Sequence, residues 1–254
     1  MISKAKIKYI RSLELKKNRL ADKVFVAEGP KVVGDLLRVM PAKLIVATPE
    51  WLAGNARSCH GTETYDVTAE ELRKVSFLQT PQDVLAVFNI PEWNDTDSSM
   101  IPVGKLSLAL DGVQNPGNLG TIIRIADWFG ITDIFCSRDT ADAFNPKVIQ
   151  ATMGSIARVH IRYVDLPEVL STLPDSFPVY GTFLDGEDIY SQTLTDEGLI
   201  IMGNEGNGIS KEVGQKVNRR LLIPNFSTSE DRAESLNVAI ATAITCSEFR
   251  RKSK

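Results

Sequence analysis

The stretch Leu110–Ile131, Leu-Asp-Gly-Val-Gln-Asn-Pro-Gly-Asn-Leu-Gly-Thr-Ile-Ile-Arg-Ile-Ala-Asp-Trp-Phe-Gly-Ile, constrains the fold of this chain more than any other. An apolar run, Leu106 to Leu110, stops at Asp111-Gly112, and a polar turn follows with Asn115, Pro116, Gly117 and Asn118. Leu119, Ile122, Ile123, Ala126 and Phe129 then recur on one helical face. The stretch is a strand, a tight loop and a helix. Asn118 is the expected N-cap, so that its side chain or the free amides of the first turn could meet a polar ligand in the crevice beyond the strand end. Arg124 lies off the apolar stripe one turn after Gly120, and a helical side chain leans toward the N-terminus, which aims a fixed positive charge at the loop mouth. By residue type alone, the same pattern is equally a plain turn followed by a solvated or ion-paired arginine.

Before this stretch, the chain alternates short helices and strands. Ile7 to Leu20 suits a basic amphipathic helix with Ile7, Ile10, Leu13 and Leu20 inward, Lys23 to Glu28 a strand, and Pro30 to Arg38 a helix opened by its proline. Ala42 to Ala47 and Glu63 to Val67 read as strands, Thr68 with Glu71 as a capping box opening a helix to about Phe77, and Val84 to Ile90 as a last strand. This describes a small α/β domain over residues 1–91. Pro91 to Gly104 is polar and aperiodic, so residues 92–104 read as a linker, with Trp93 pinning it to a surface or stacking on a base.

A second domain, residues 105–254, follows the same logic. Strands are expected at Ile131–Ser137, Val159–Val164, Val179–Leu184, Leu199–Met202 and Leu221–Pro224, with helices from Asn145-Pro146 to about Ile156, over Pro167–Leu173, and from Ser235 onward. Ser235 is the expected cap of that last helix, and its apolar face can include Leu236, Ala239, Ile240, Ala243 and Ile244. Strands alternating with helices argue for a parallel α/β sheet. The strand at Leu199 runs into Gly203-Asn-Glu-Gly-Asn-Gly208, glycines that let a backbone adopt positive φ and approach a ligand, although their spacing is not the dinucleotide-binding fingerprint.

Composition narrows the class. The 254 residues are 43% hydrophobic with three cysteines and two histidines lacking metal-ligand spacing, so neither a metal site nor a disulfide framework is expected. No signal peptide or membrane-spanning run is visible, which makes a cytoplasmic location the expectation. The net charge of −3 hides an asymmetry: Met1 to Lys43 holds eleven Lys and Arg against four Asp and Glu. Such a local excess can supply phosphate contacts, or simply a solvated helix face.

Three motifs in order give the chain its resemblance. Asn118-x-Gly120-x-x-x-Arg124-x-Ala126 with Gly130, then Gly203-Asn204-Glu205-Gly206-Asn207-Gly208, then Ile223-Pro224 with Ser235-Leu236-Asn237-Val238, resemble the motifs of the SpoU (TrmH-type) RNA ribose 2′-O-methyltransferases of the SPOUT superfamily. Phe25-Val-Ala-Glu28-Gly29 and Thr80-Pro-Gln-Asp-Val-Leu-Ala86 resemble the RNA-binding domain that precedes many such catalytic domains. Two departures are visible: the loop from Asn225 to Glu234 is long, and Ala239 stands where a serine is frequent.

The resemblance implies an α/β protein with a small N-terminal RNA-binding domain and a C-terminal SPOUT domain whose mostly parallel sheet carries a trefoil knot. It implies S-adenosylmethionine as cofactor, transfer of its methyl group to a ribose 2′-hydroxyl of RNA, no metal, and a homodimer. Implied catalytic residues are Arg124, Asn118, Asn237, Ser235 and Glu205. Implied cofactor-binding residues are Thr182, Phe183, Leu184, Gly203, Asn204, Gly208, Ile223, Pro224 and Leu236. For Glu205 two roles are open, fixing the loop by accepting backbone amides or contacting Arg124, and the first is preferred. Ribosomal RNA is the preferred substrate because of the separate N-terminal domain. The alternatives are a tRNA 2′-O-methyltransferase and a non-catalytic RNA-binding or ribosome assembly factor of the same fold. A Rossmann-type nucleotide enzyme is disfavoured by the glycine spacing.

Overall fold

The computed structural model describes residues 2–91, 101–229, 231 and 233–251. The expected linker falls outside the described residues over 92–100, and Trp93 with it. The chain forms two compact units, Met1–Glu92 with Asp142–Ala157, and Trp93–Ala141 with Arg158–Lys254. The sequence boundary at residue 105 does not anticipate this, because sixteen residues from the middle of the chain belong to the first unit.

In the first unit, strands β1 (Val24–Glu28), β2 (Ala42–Ala47), β3 (Glu63–Asp66) and β4 (Val84–Asn89) form a sheet in the order β1-β4-β2-β3. Only β2 and β3 are parallel. Period-two alternation sends Val24, Val26, Leu44, Val46, Leu85 and Val87 into one core with Ile10 and Leu13. The opposite face is buried as well, because β1 is covered there by α3 (Pro30–Leu37) and by the helix Pro146–Ala151. Phe144, just before that helix, brings its ring within 5.1 Å of the Phe25 centroid. The unbroken apolar run of β1 is the mark of a strand covered on both faces.

The expected single helix from Ile7 to Leu20 is two, α1 (Lys4–Ser12) and α2 (Lys16–Asp22), with Leu20 exposed rather than inward. Arg19, 1% exposed, is the physical reason for the break: its Nη1 donates to the carbonyls of Leu13 and Glu14, replacing helical hydrogen bonds where the chain turns. Its Nη2 reaches Asp142 Oδ2 at 2.5 Å, so the same guanidinium fastens the inserted segment to the unit. Two further helices complete the unit. α5 (Ala69–Val75) has the capping box at Thr68 and Glu71. α4 (Pro49–Asn55), absent from the expected elements, is capped by Thr48 and opened by Pro49.

The second unit holds a six-stranded sheet, parallel in every described pair, in the order β10-β8-β9-β5-β6-β7. Its strands are β5 (Leu106–Leu110), β6 (Asp133–Cys136), β7 (His160–Tyr163), β8 (Val179–Asp188), β9 (Gly198–Met202) and β10 (Arg219–Leu222). The helix read from the opening stretch is α6 (Pro116–Trp128), which buries Leu119, Ile122, Ile123 and Ala126. In the segment that belongs to the first unit, the helix starting at Asn145 ends at Ala151 instead of near Ile156, as α7 (Pro146–Ala151), and a 3-10 turn, Ser155–Ala157, follows it. α8 (Leu166–Ser171) and a short α9 (Lys211–Gly214) precede the C-terminal α10 (Val238–Arg251). α10 packs beside α6, and its Phe249 meets the ring of Tyr180 on β8 edge-on at 4.7 Å.

At the foot of the sheet, Asp133 is 2% exposed and holds Arg162 at 2.5 Å and Lys105 at 2.9 Å. Burial pushes its carboxyl upward, but hydrogen bonds from Arg162, Lys105 and Thr132 outweigh this and hold it well below the usual carboxylate range.

Candidate active site

In a parallel sheet, the loops that follow the strands gather at one edge, and here those after β5, β6 and β9 are tied together by hydrogen bonds. Asp111 Oδ2 accepts the Ser210 amide at 2.7 Å. The Gly112 amide donates to Ser137 Oγ at 2.8 Å, and the Gly112 carbonyl accepts Asn204 Nδ2 at 2.6 Å. Gly112 has φ +71°, which its Asp-Gly turn anticipates.

The glycine loop is a tight hairpin closed by reciprocal backbone bonds between Asn204 and Gly208 at 2.9 and 3.0 Å. Asn204 Oδ1 accepts the amides of Gly206 and Asn207 within it. Gly203 must be glycine, since a Cβ there would lie 2.2 Å from the Gly208 carbonyl carbon and 2.3 Å from the Ile209 nitrogen. Gly208 sits at φ +68° with open space where its Cβ would be.

Glu205, at the hairpin tip, accepts the amides of Gln114 and Asn115 at 3.2 and 3.0 Å and the side-chain amide of Asn118 at 3.0 Å. Partial burial raises its carboxyl, but the bonds from Asn118 and the two amides prevail and hold it below its ordinary value. Asn118 in turn accepts Asn237 Nδ2 on its Oδ1 at 3.0 Å. Residues from three separate sequence motifs are therefore joined side chain to side chain.

Two capping expectations need correction. α6 is capped by Asn115, whose Oδ1 accepts the amides of Gly117 and Asn118, because Pro116 takes the first helical position and leaves Asn118 inside the first turn. α10 is capped by Asn237, whose Oδ1 accepts the amides of Ala239 and Ile240, while Ser235 lies exposed ahead of the helix. The buried face of α10 is made of Val238, Ala239, Thr242, Thr245, Cys246, Glu248 and Phe249, and Leu236 and Ile240 are half exposed instead of inward.

Arg124 is exposed, and no hydrogen bond or ion pair joins it to another described residue; Glu205 spends its oxygens on Asn118 and backbone amides. The remaining expected residues surround this cluster in sequence and differ in setting. Thr182 Oγ1 lies 3.9 Å from Met202 Sδ, linking β8 to the end of β9. Ile223 and Pro224 are half-buried after β10, whereas Leu184 is 76% exposed and Leu236 50%. In the long loop from Asn225, Glu230 and Arg232 lie outside the described residues, and Phe226 is exposed.

The sequence had not anticipated the path of β8. β10 pairs with it in parallel at Arg220↔Gly181 and resumes at Leu221↔Glu187, so Thr182 to Gly186 loop out between consecutive residues of β10. The Phe183 ring folds back onto Gly181 and Gly214: a Cβ at Gly181 would be 2.7 Å from Phe183 Cε2, and one at Gly214 3.6 Å from its Cζ. Arg220 covers the ring with its guanidinium carbon 3.5 Å from the centroid. Phe183 thus packs with protein, and what it can offer a ligand is its backbone.

The exposed apolar side chains of Leu184 and Leu236 suit the purine of a nucleoside-type cofactor, while the hairpin's own amides are largely spent within it. Among the described residues, no group of three His, Cys, Asp or Glu could hold a metal ion, and no helix is long and apolar enough to cross a membrane.

Comparison with known proteins agrees with this geometry. Residues 105–247 match the SpoU rRNA Methylase family, and residues 4–86 match the MRM3-like substrate binding domain. The chain is 31% identical over 243 residues to the 23S rRNA (guanosine(2553)-2′-O)-methyltransferase RlmP of Bacillus subtilis, covering 94% of this chain and 93% of that protein. Among solved structures, a TrmH-family protein from Porphyromonas gingivalis superposes with a TM-score of 0.89 at 41% identity over 99% of both chains. The AdoMet-bound rRNA methyltransferase from Sinorhizobium meliloti superposes with a TM-score of 0.86 at 30% identity, over 99% of this chain and 96% of that one. With a sheet edge whose three loops are locked through Asn118, Glu205 and Asn237, and a family match over that whole region, the chain belongs to the SpoU rRNA methylase family.

Proposed function

We propose that this protein is an S-adenosylmethionine-dependent methyltransferase acting on a ribose 2′-hydroxyl of ribosomal RNA, in the cytoplasm. The observation that carries the reading is the chain of bonds Glu205–Asn118–Asn237, which fixes three loops at the edge of the sheet where α6 begins, with Arg124 exposed on that helix and bonded to no other described residue. Relatives named as 23S rRNA 2′-O-methyltransferases, and an AdoMet-bound neighbour, support the substrate class and the cofactor.

Bound S-adenosylmethionine would supply an electrophilic methyl group, held by the backbone of Thr182, Phe183 and Leu184, by Gly203, Asn204 and Gly208, and by Ile223, Pro224 and Leu236. The chain's own task is alignment and charge. A guanidinium stays protonated in proteins, so Arg124 is a poor base and a good clamp. It holds the phosphate beside the target ribose and stabilises charge developing on the 2′-oxygen, while that phosphate or a deprotonated minority form of the guanidinium accepts the hydroxyl proton. Asn118 and Asn237 orient the ribose from amides already fixed at one end, Ser235 donates to a phosphate, and Glu205 keeps the loops in register. DNA of matching sequence lacks the 2′-hydroxyl and is inert.

The same reading includes a homodimer and a C-terminal segment threaded as a trefoil knot. On the paired helices α6 and α10, Trp128 at one end and Ile240 at the other are apolar side chains exposed at 85% and 52%, which a partner could cover.

The deciding experiment is transfer of labelled methyl from S-adenosylmethionine to total RNA of cells lacking this gene, with Arg124→Ala as control, followed by alkaline digestion. Label in alkali-resistant dinucleotides of ribosomal RNA, absent with the variant, supports the reading. Label in free nucleotides would mean base methylation, label confined to tRNA would move the substrate, and RNA binding without label would make the protein an assembly factor.

A further inference from the structure

The excursion Thr182–Gly186 interrupts the pairing of β8 with β10 and carries three of the residues assigned above to the cofactor. A five-residue loop closed at a strand edge pays backbone entropy and needs contacts to stay in one conformation. At its far end Gly186 returns tightly against Leu221, and Asp185 and Gly186 border a cavity of about 550 Å³ with Ser191, Gln192, Asn218, Arg219 and Arg220, which none of the expected cofactor residues lines. One side chain bridges the two ends. Arg220, register partner of Gly181 at the neck, lies over the Phe183 ring at 3.5 Å and bonds Asp185 Oδ1 through Nη2 at 2.5 Å.

An ion pair this exposed, with Arg220 at 40% and Asp185 at 76%, contributes little alone. The planar guanidinium does two things at once: its face covers an aromatic ring while its edge meets a carboxylate two residues further along. Phe183 and Asp185 flank Leu184, so holding both sets the backbone between them. Glycine at 181 and 214 leaves room for the ring, and glycine at 186 lets the chain return against β10, where a Cβ would lie 2.5 Å from the Leu221 carbonyl carbon.

We infer that Arg220 is a positioning residue for the cofactor segment, preorganising Thr182–Leu184 by clamping Phe183 and Asp185 together. The inference rests on the methyltransferase reading. Loosening the clamp makes binding bear the cost of ordering the loop, which weakens cofactor affinity and leaves the bound complex, once formed, competent.

The test is calorimetric titration of S-adenosylmethionine into the full-length protein and its Arg220→Ala variant, with hydrogen exchange of the peptide over Thr182–Gly186 before cofactor is added. A weakening of about tenfold in Kd is expected for Arg220→Ala, with kcat at saturating cofactor within about twofold and RNA affinity unchanged. Exchange of the free variant's peptide should be faster. Arg220→Lys, which keeps charge but not a planar stack, should recover less than half of the loss on a logarithmic scale. Phe183→Leu, which removes only the ring, should weaken binding in the same direction and gives an independent reading if Arg220→Ala folds poorly. Equal Kd and equal exchange in the wild type and either variant would overturn the clamp. A wild-type protein that binds no S-adenosylmethionine would instead overturn the function on which it rests.

Discussion

Asn237 donates its side-chain amide to Oδ1 of Asn118 at 3.0 Å, joining residues 119 positions apart at the mouth of the parallel sheet. Asn237 Oδ1 is meanwhile engaged with the first turn of α10, and the Asn118 amide nitrogen with Glu205. Each asparagine is held at both ends of its amide, which fixes orientation without a charge on either.

Glu205 anchors this arrangement as an ionised acceptor. In Glu205→Gln, one carboxylate oxygen becomes an NH2 group, which would meet a backbone or side-chain donor. A loss of about 1–2 kcal/mol in stability is expected, together with at least about tenfold in kcat/KM, read by urea denaturation and steady-state kinetics. Because its carboxyl is held below its ordinary value in the folded state, the wild-type contribution is full above the unfolded pKa of about 4.3 and is lost as pH falls through the lower folded value. The variant should lose that acid-side dependence.

Arg124 makes no bond within the described protein, so replacing it should leave the fold intact. Arg124→Ala is expected to keep its melting temperature and its affinity for S-adenosylmethionine while kcat falls by about 10²–10³. Arg124→Lys should be only slightly better, since an ammonium cannot reproduce the fork of the guanidinium. Near-normal turnover in the lysine variant would argue that position and planarity are irrelevant there.

Asp142 pairs with the buried Arg19, and its removal leaves a cation inside the first unit. Asp142→Ala should cost about 3 kcal/mol in urea denaturation, and adding Arg19→Met should restore little of it, because the Leu13 and Glu14 carbonyls then lose the donor that satisfies them. If the single variant unfolds at the wild-type midpoint, the inserted segment is not fastened by this pair.

At the opposite end of the parallel sheet from the loops, Asp133 gives a separate acid signature. Its carboxyl is depressed by Arg162, Lys105 and Thr132 against the upward push of burial, so it stabilises the fold above the unfolded pKa of about 3.9 and progressively less as pH falls below it. Asp133→Asn should lower stability at pH 7 by about 3 kcal/mol and flatten the acid side of the stability curve. Cofactor affinity at neutral pH should be unchanged, which a calorimetric titration would check.

Local chemistry made most elements legible in the sequence. The capping box at Thr68, the prolines opening α3 and α7, and the apolar periodicity of α6 all act within a few residues, where caps and side-chain spacing dominate. The three motifs likewise fell on the loops that now meet at the sheet edge. The caps of α4 and α6 were missed although the signal is local, since a proline at the first helical position puts the cap one residue before it, at Thr48 and at Asn115. Other features depend on partners far away in sequence. That Asp142–Ala157 joins the first unit follows from Arg19–Asp142 and Phe25–Phe144, contacts about 120 residues apart that no periodicity encodes. The break between α1 and α2 needs Arg19 to satisfy freed carbonyls, the end of β8 depends on where β10 returns, and Glu205 found its partners only once three loops converged. Propensity and capping are settled by neighbours along the chain, whereas hydrogen-bond partners and register are settled by which surfaces the collapsed chain brings together.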